Sequence, residues 1–299
     1  MSTLPAIEIQ GLVRRYGRLE AVHGLDLTVA PGRCYGFFGR NGAGKTTTIK
    51  CLLNLLRPDT GTIRVFGHNP RIEEVAVKSS LAYVPDHVAF YPWMTVRNWF
   101  DYQASFRKTW NHNKESELLR QFDLDDTQKA STLSRGQAVQ VALIGAICPE
   151  PDLLVLDEPT SGLDPLVRRE FIRAVIGAYQ DADPGRRTVF VSTHLISEFE
   201  GLIDEFTILE KGRAVLTMEA DAARDRYRKL TASFSTEAPD VDVPGARRTL
   251  RQGRNLEVLV NGQLDQARDF IQTLQPADLK VEALSLEEIF LVTAGAKAD

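Results

Sequence analysis

The segment Gly39-Arg40-Asn41-Gly42-Ala43-Gly44-Lys45-Thr46 fits G-x-x-x-x-G-K-[ST] at every fixed position. Glycines let successive backbone N–H groups curl around anionic oxygens, and a helix opening at the end of the segment adds partial positive charge. In that setting Lys45 is placed to reach the β- and γ-phosphates of a nucleoside triphosphate, and the Thr46 hydroxyl to ligate Mg²⁺. The competing reading, a glycine-rich turn with a solvated lysine, does not account for every fixed position being filled between a strand pattern and a helix pattern. A second chemical signal is Leu153-Leu154-Val155-Leu156-Asp157-Glu158, an apolar run that ends in two carboxylates. Buried parallel strands deliver such residues to the carboxyl edge of a sheet, where ligands of open α/β folds bind. There Asp157 is expected to hold Mg²⁺ or its water, and Glu158 to orient or deprotonate an attacking water. Alone this ending is a weak signal, since strands often finish in acids that cap the next turn; beside the phosphate loop it is a strong one.

The elements that must position these residues are legible around them. Ala6–Ile9 and Leu25–Val29 alternate as strands, Pro31-Gly32 makes a turn, and Arg33–Phe38 leads into the loop. The helix opened by the loop is predicted to run through Ile49, Leu52, Leu53 and Leu56 until Pro58. Gly61–Phe66 reads as a strand with a turn over Gly67–Pro70, residues 95–145 as mainly helical, and Leu153–Asp157 and Thr188–Ser192 as buried parallel strands. Alternating strands and helices imply an α/β sandwich around a partly parallel sheet. Past about residue 220 the character changes: Asp221–Arg228 is charged, and Ser235–Pro244 is rich in Pro, Asp and Glu. Strand-like Leu256–Val260, helix-like Leu264–Leu274, strand-like Leu279–Leu284 and a final helix opened by the capping pattern Ser285-Leu286-Glu287-Glu288 follow. The boundaries expected are a nucleotide-binding domain over 1–220 and a small α+β domain over 221–299.

Further motifs lie in order along the first domain. Leu133-Ser134-Arg135-Gly136-Gln137 stands between the phosphate loop and Asp157-Glu158, Pro159-Thr160-Ser161-Gly162-Leu163-Asp164 follows Glu158, Thr193-His194 ends the next strand, and Tyr16 sits in Arg14-Arg15-Tyr16-Gly17. Together they resemble the ATP-binding subunits of ABC transporters, over about residues 6–217 continuously. The resemblance implies a P-loop NTPase fold of the ABC ATPase type: a RecA-like core with an antiparallel β subdomain and an α-helical subdomain, to which this chain adds the small C-terminal domain. It implies ATP and Mg²⁺ as ligands. Gly39, Arg40, Asn41, Gly42, Ala43, Gly44, Lys45, Thr46 and Thr47 would cradle the phosphates, Tyr16 would stack on adenine, and Ser134, Gly136, Gln137 and Asp164 would complete the nucleotide site. Thr46, Asp157 and Asp86 would hold the metal. Glu158 would be the base, His194 the γ-phosphate switch, and Lys45 a charge stabiliser.

The signature segment also has a physical reading. Ser134 and Gly136 precede a helical run, so hydroxyl and backbone N–H groups offer a second anion site. One chain cannot easily fold both anion sites onto one nucleotide, and the family's solution is a head-to-tail dimer, with ATP held between Lys45 of one subunit and Ser134 of the other. Two positions depart from the pattern. Arg135 stands where the family has glycine: turned outward it changes little, turned inward its guanidinium adds a phosphate contact. Asp86, in Tyr83-Val84-Pro85-Asp86, replaces the usual glutamine; aspartate can ligate Mg²⁺ but donates no hydrogen bond at neutral pH.

All three tryptophans (Trp93, Trp99, Trp110) fall within residues 83–110, beside Phe90, Tyr91, Phe100, Tyr102 and Phe106. Thr95 is predicted to cap a helix whose Val96, Trp99 and Phe100 share a buried face. More rings remain than one helix face can bury, and aromatic residues are enriched at protein interfaces. Since the family receives a short helix of its membrane subunit here, Phe90–Trp93 are expected to line that groove.

Composition narrows the partners. The 299 residues are 43% hydrophobic and 25% charged, with Lys+Arg 36 against Asp+Glu 40 for a net charge of −4. That balance argues against an electrostatic nucleic-acid binder. No apolar run reaches membrane-span length, residues 1–5 lack the regions of a signal peptide, and Cys34, Cys51 and Cys148 form neither a disulfide framework nor a metal motif. The expectation is a cytoplasmic ATPase, peripheral at the inner face of the membrane, paired with a second ATP-binding subunit of the same kind and with a permease on a separate chain. The tail and the Asp86 variant resemble subunits serving exporter-type (ABC-2) permeases. The alternatives from other classes are a soluble ABC-type ATPase acting on ribosomes or DNA, and a nucleotide-gated regulator.

Overall fold

The computed structural model describes residues 4–180 and 187–294. Residues 1–3, part of the stretch read above for a signal peptide, lie outside it. Contacts divide the chain into two units, Met1–Ala214 and Val215–Asp299.

In the first unit the strands are β1 (Ile7–Tyr16), β2 (Leu19–Val29), β3 (Cys34–Phe38), β4 (Thr60–Val65), β5 (Leu81–Val84), β6 (Leu153–Asp157), β7 (Thr188–Thr193) and β8 (Glu205–Glu210); β9 (Arg213–Glu219) carries the chain across the boundary. The helices are α1 (Lys45–Leu52), α2 (Glu74–Ser80), α3 (Val96–Ala104), α4 (His112–Gln121), α5 (Arg135–Ile147), α6 (Pro165–Gln180) and α7 (Ile196–Phe199). An antiparallel sheet has the order β2-β1-β4, and a larger one the order β5-β6-β7-β3-β8-β9. In the larger sheet β5, β6, β7, β3 and β8 pair in parallel, with Asp157 opposite Ser192 and Phe38 opposite Thr193. Every residue of β3, β6 and β7 is buried, which is why these strands read as continuous apolar runs. Phe190 of β7 stacks on Tyr35 at 5.9 Å and packs on Phe37 at 5.3 Å. Truncating such a ring to alanine costs about 3–5 kcal/mol.

Two local features differ from the sequence reading. α1 ends at Leu52 rather than continuing to Leu56. Asn54 takes a left-handed conformation (φ 57°), and the N–H groups of Asn54 and Leu55 donate to Cys51 O (3.1 Å) and Lys50 O (2.8 Å). This is a Schellman closure with asparagine in place of the usual glycine, so the apolar period outlasts the helix. β1 continues past Ile9 to Tyr16 because a bulge at Gly11 (φ 58°), whose N–H donates to Asp26 Oδ1 at 2.7 Å, bends the strand without ending it. The expected cap of α3 is present: Thr95 accepts from Asn98 N–H (3.1 Å) and Asn98 accepts from Thr95 N–H (3.2 Å).

The second unit comprises α8 (Ala220–Arg226), β10 (Tyr227–Ser233), β11 (Ala246–Gln252), β12 (Asn255–Asn261), α9 (Leu264–Thr273), β13 (Asp278–Ala283) and α10 (Leu286–Ala294). Its antiparallel sheet has the order β11-β12-β10-β13 and buries Leu230, Val258 and Val260 against Ala267 and Ile271 of α9. Ser285 and Glu288 cap α10 reciprocally, at 2.9 and 3.1 Å. Among the described residues no helix is long and apolar enough to cross a membrane.

Candidate active site

The site forms at the carboxyl ends of β3, β6 and β7. Gly44 (φ 106°) is the N-cap of α1, and a side chain there would come within 2.4 Å of Ala21 O; one at Gly39 would come within 2.6 Å of Leu209 O. Those close approaches let the loop over residues 39–46 fold tightly with its N–H groups at the head of α1. Lys45 is buried. Its ammonium donates to Gly39 O (2.6 Å) and Arg40 O (3.3 Å) and lies 2.9 Å from Glu158 Oε1. Glu158 is held in a left-handed conformation (φ 48°), its N–H donating to Ser192 O at 2.8 Å. Non-glycine residues in that region carry strain, and they cluster where a side chain must be aimed. The other Glu158 oxygen, Oε2, lies 2.7 Å from His194 Nδ1 and accepts from His194 N–H at 3.4 Å.

Asp157 is fully buried. Its Oδ1 accepts from Thr46 Oγ1 (3.2 Å) and Ser192 Oγ (3.1 Å), while its Oδ2 is buried without a hydrogen-bond partner within 3.5 Å among the described residues. Burial pushes the Asp157 carboxyl above its ordinary range; the hydroxyl donors pull it down, and the carboxylates of Glu158 and Asp86 push it up further. A bare carboxylate oxygen beside a threonine hydroxyl is the hard-oxygen donor set that Mg²⁺ takes, with water and phosphate oxygens completing the shell. Among the described residues no three His, Cys, Asp or Glu side chains converge as a metal cage. Asp86 is half-exposed and its Oδ2 lies 3.0 Å from His87 Nδ1.

Tyr16 is 44% exposed at the end of β1, with the Arg14 guanidinium 5.0 Å from its ring centre. Ser134 is the N-cap of α5, accepting from Gln137 N–H at 3.2 Å, while Gln137 Oε1 accepts from Ser134 N–H at 2.9 Å. Asp164 accepts from Leu166 N–H (3.1 Å) and Val167 N–H (3.2 Å) at the start of α6, and Gly136 faces Val167. Among the described residues no hydrogen bond joins Ser134, Gly136 or Gln137 to the loop over 39–46. Direct contacts thus join Lys45 to Glu158, Glu158 to His194 and Thr46 to Asp157, and among the described residues no such contact reaches Ser134, Gly136 or Gln137. Arg135 turns neither to solvent alone nor to the phosphate loop: it donates to Ser161 O at 2.7 Å.

The structure also adds residues that the sequence did not single out. Ser192 holds Asp157, Thr193 lies beside Glu158, the Tyr83 phenol is pushed up by burial and by Asp157, and Glu198 binds the Thr160 hydroxyl. Ser192 and Thr193 had a signal, being the polar end of an apolar run; Tyr83 and Glu198 had none. In the aromatic region Tyr91 and Trp93 are exposed. Phe90 turns edge-on to Trp99 at 5.0 Å, and Tyr91 and Trp93 stack on each other at 4.9 Å. A groove of about 600 Å³ is lined by residues such as Leu53, Val75, Leu81, Tyr83 and Phe106. The rings at 90–93 lie in the loop before α3, whose backbone turns over Tyr91–Met94 (3.1 Å); Tyr91 meets Tyr102 edge-on at 6.3 Å, and Tyr102 meets Phe106 of the groove at 5.0 Å.

The ABC transporter family pattern matches residues 22–161. The bacitracin transport ATP-binding protein BcrA of Bacillus licheniformis is 34% identical over 231 residues, covering 77% of this chain and 74% of the relative. The chain belongs to the ABC transporter family. The daunorubicin resistance ATP-binding protein DrrA3 of Streptomyces coeruleorubidus is 31% identical over 97% of this chain and 96% of its own. A Nod factor export ATP-binding protein of Burkholderia orbicola is 34% identical over 72% of this chain and 71% of its own. Among solved structures, an ATP-binding subunit of an ABC transporter superposes with a TM-score of 0.66 at 26% identity, over 74% of this chain and 92% of that one. A dimeric bacterial ABC cassette shares the fold (TM-score 0.62, 18% identity, 72% of this chain and 98% of that one). This ABC subunit binds ATP and is an ATPase that powers transport. These relatives favour transport over a soluble role on ribosomes or DNA.

Proposed function

We propose that two copies of this ABC subunit close head to tail on ATP, and that the closed pair drives an export permease carried on a separate chain. The observation that carries the reading is Glu158, which pairs Lys45 with one oxygen and His194 with the other, while Ser134 caps α5 with no hydrogen bond to the phosphate loop among the described residues. When a triphosphate enters, Lys45 exchanges Glu158 for phosphate oxygens, a gain only an anionic ligand can supply. Glu158 Oε1 is then free to accept the proton of the attacking water, while Oε2 keeps His194 oriented with its Nε2 available to the γ-phosphate. Asp157 and Thr46, with Asp86, would hold Mg²⁺, which would supply charge neutralisation at the phosphates. Ser134, Gly136 and Gln137 of the partner close the other side, and Tyr16 stacks on adenine.

The named relatives in bacitracin transport, daunorubicin resistance and Nod factor export support an exporter, and the permease would hold the subunit at the inner face of the membrane. The apolar groove containing Phe106, continued by exposed Tyr102 and Tyr91, is the surface that fits a short permease helix. The experiment is light scattering of Glu158→Gln with and without ATP. An ATP-dependent dimer is expected; a folded variant that binds ATP yet stays monomeric at high concentration overturns the reading.

A further inference from the structure

Arg135 occupies the position where the resembling family carries glycine, and its side chain has a definite destination. Nη2 donates to Ser161 O at 2.7 Å, and Nη1 lies 2.7 Å from the place a Cβ on Gly162 would take. Gly162 adopts φ 69° and has no Cβ, so the turn can accept the guanidinium at close range. The turn over 159–164 joins the base Glu158 to the cap Asp164, and other elements hold it too. The Thr160 hydroxyl donates to Glu198 in α7, immediately after His194. Arg168 of α6 lies 2.5 Å from Glu198 and donates to Leu163 O at 3.1 Å. Ser161 N–H donates back to Glu158 O at 3.2 Å. Arg135 is thus the hydrogen-bonded link from the signature helix into a turn already tied to the base and to the switch-histidine segment. Beside it, α5 meets α6 through Gly136 against Val167 and through Gln140 Nε2, which donates to Glu170 Oε2 at 3.3 Å; neither reaches the 159–164 turn.

We propose that Arg135 is a positioning residue that locks Ser134 and the head of α5 to the 159–164 turn. The anion site offered to one subunit's partner and the base of that same subunit then move as one body. This rests on the head-to-tail reading above. It places Arg135 on backbone of its own chain and away from phosphate, so its loss is felt in turnover and not in nucleotide affinity.

The test is steady-state ATPase kinetics of Arg135→Gly, Arg135→Lys and Gly162→Ala, with ATP affinity and unfolding temperature measured on each. Arg135→Gly is expected to lower kcat about tenfold, the scale of a small misplacement of reacting groups, with KM for ATP changed less than about twofold. Arg135→Lys, which keeps the charge and a donor, is expected to recover part of the loss. Gly162→Ala pushes a methyl group into the guanidinium and should mimic Arg135→Gly. The double variant should then be no slower than the poorer single, the non-additivity of groups acting through one contact. Losses that multiply overturn the proposal, as does a raised KM with kcat kept, which would make Arg135 a phosphate contact. An Arg135→Gly protein that is folded and fully active also overturns it. Should Arg135→Gly fail to fold, the Lys and Gly162→Ala variants carry the same comparison. The Glu158→Gln control separates the two levels: no ATP-dependent dimer there means the dimer reading has failed, whereas a dimer there with an unaffected kcat in Arg135→Gly means only the positioning role has.

Discussion

Glu158 holds the Lys45 ammonium 2.9 Å from one carboxylate oxygen and the His194 ring nitrogen 2.7 Å from the other. Lys45, Glu158 and His194, the proposed phosphate-binding cation, base and switch histidine, are thereby one chain of contacts with a shared middle member. Neutralising that member releases both ends. For Glu158→Gln we expect ATP to bind about three- to tenfold more tightly, since Lys45 no longer leaves a carboxylate to meet phosphate; a tenfold change is about 1.4 kcal/mol. Hydrolysis should fall about 10²- to 10⁴-fold, as for loss of a general base. Equilibrium binding of a labelled ATP and phosphate release check both, and wild-type turnover would exclude Glu158 as the base.

Ser134 has a structural duty as the cap of α5 and a proposed one toward the partner's nucleotide, and two substitutions separate them. Ser134→Ala removes the cap, at about 1 kcal/mol of stability, together with the hydroxyl. Ser134→Asp keeps a good cap but sets a negative charge against phosphate. We expect the Asp variant to unfold at the wild-type temperature and to lose ATPase activity at least as completely as Ala. An active Ser134→Asp would remove the residue from the nucleotide site.

Burial raises the Asp157 carboxyl, so in the metal-free protein the native state holds that proton more tightly than the unfolded chain does. The contribution therefore favours folding at acid pH and is lost as pH rises through the native value. Asn at 157 keeps an oxygen for Thr46 and Ser192 and removes the buried charge. In EDTA at pH 7 Asp157→Asn should unfold about 2–4 °C higher than wild type, the size of a 1 kcal/mol change in a protein this large. The gap should close below the ordinary carboxylate range. Equal melting at pH 7 would count against it, and ATPase activity should be lost at every pH.

Tyr16 offers one ring face to Arg14 and is partly exposed. Tyr16→Ala is expected to raise the KM for ATP about three- to tenfold and Tyr16→Phe to leave it near wild type, because stacking is worth about 0.5–1.5 kcal/mol and needs no hydroxyl. An unchanged KM in the alanine variant would show that adenine sits elsewhere.

The phosphate loop, Asp157, Glu158 and His194 were legible in the sequence for a common reason. Each ends a run of buried residues, and the parallel register of β3, β6 and β7 sets those ends side by side. Side-chain destinations were not legible. Nothing in the order of residues says that Lys45 turns back to Glu158, or that a long, freely rotating arginine at 135 ends on Ser161 O. Nor did apolar period reveal where α1 stops, because the decision belongs to the backbone of Asn54. In the second unit β10 and β11 escaped notice because arginines and lysines interrupt their alternation, as in Ala246-Arg247-Arg248-Thr249.

The pairing of Lys45 with Glu158 has one more consequence. Sulfate, bicarbonate and free phosphate are attracted to any naked ammonium in a nest of amides. Here such a visitor would have to evict an internal counter-ion, and its hold on the amides is set against the loss of that pair. An idle subunit is therefore biased against small decoys, and favours a molecule long enough to add contacts elsewhere while its far end makes the exchange.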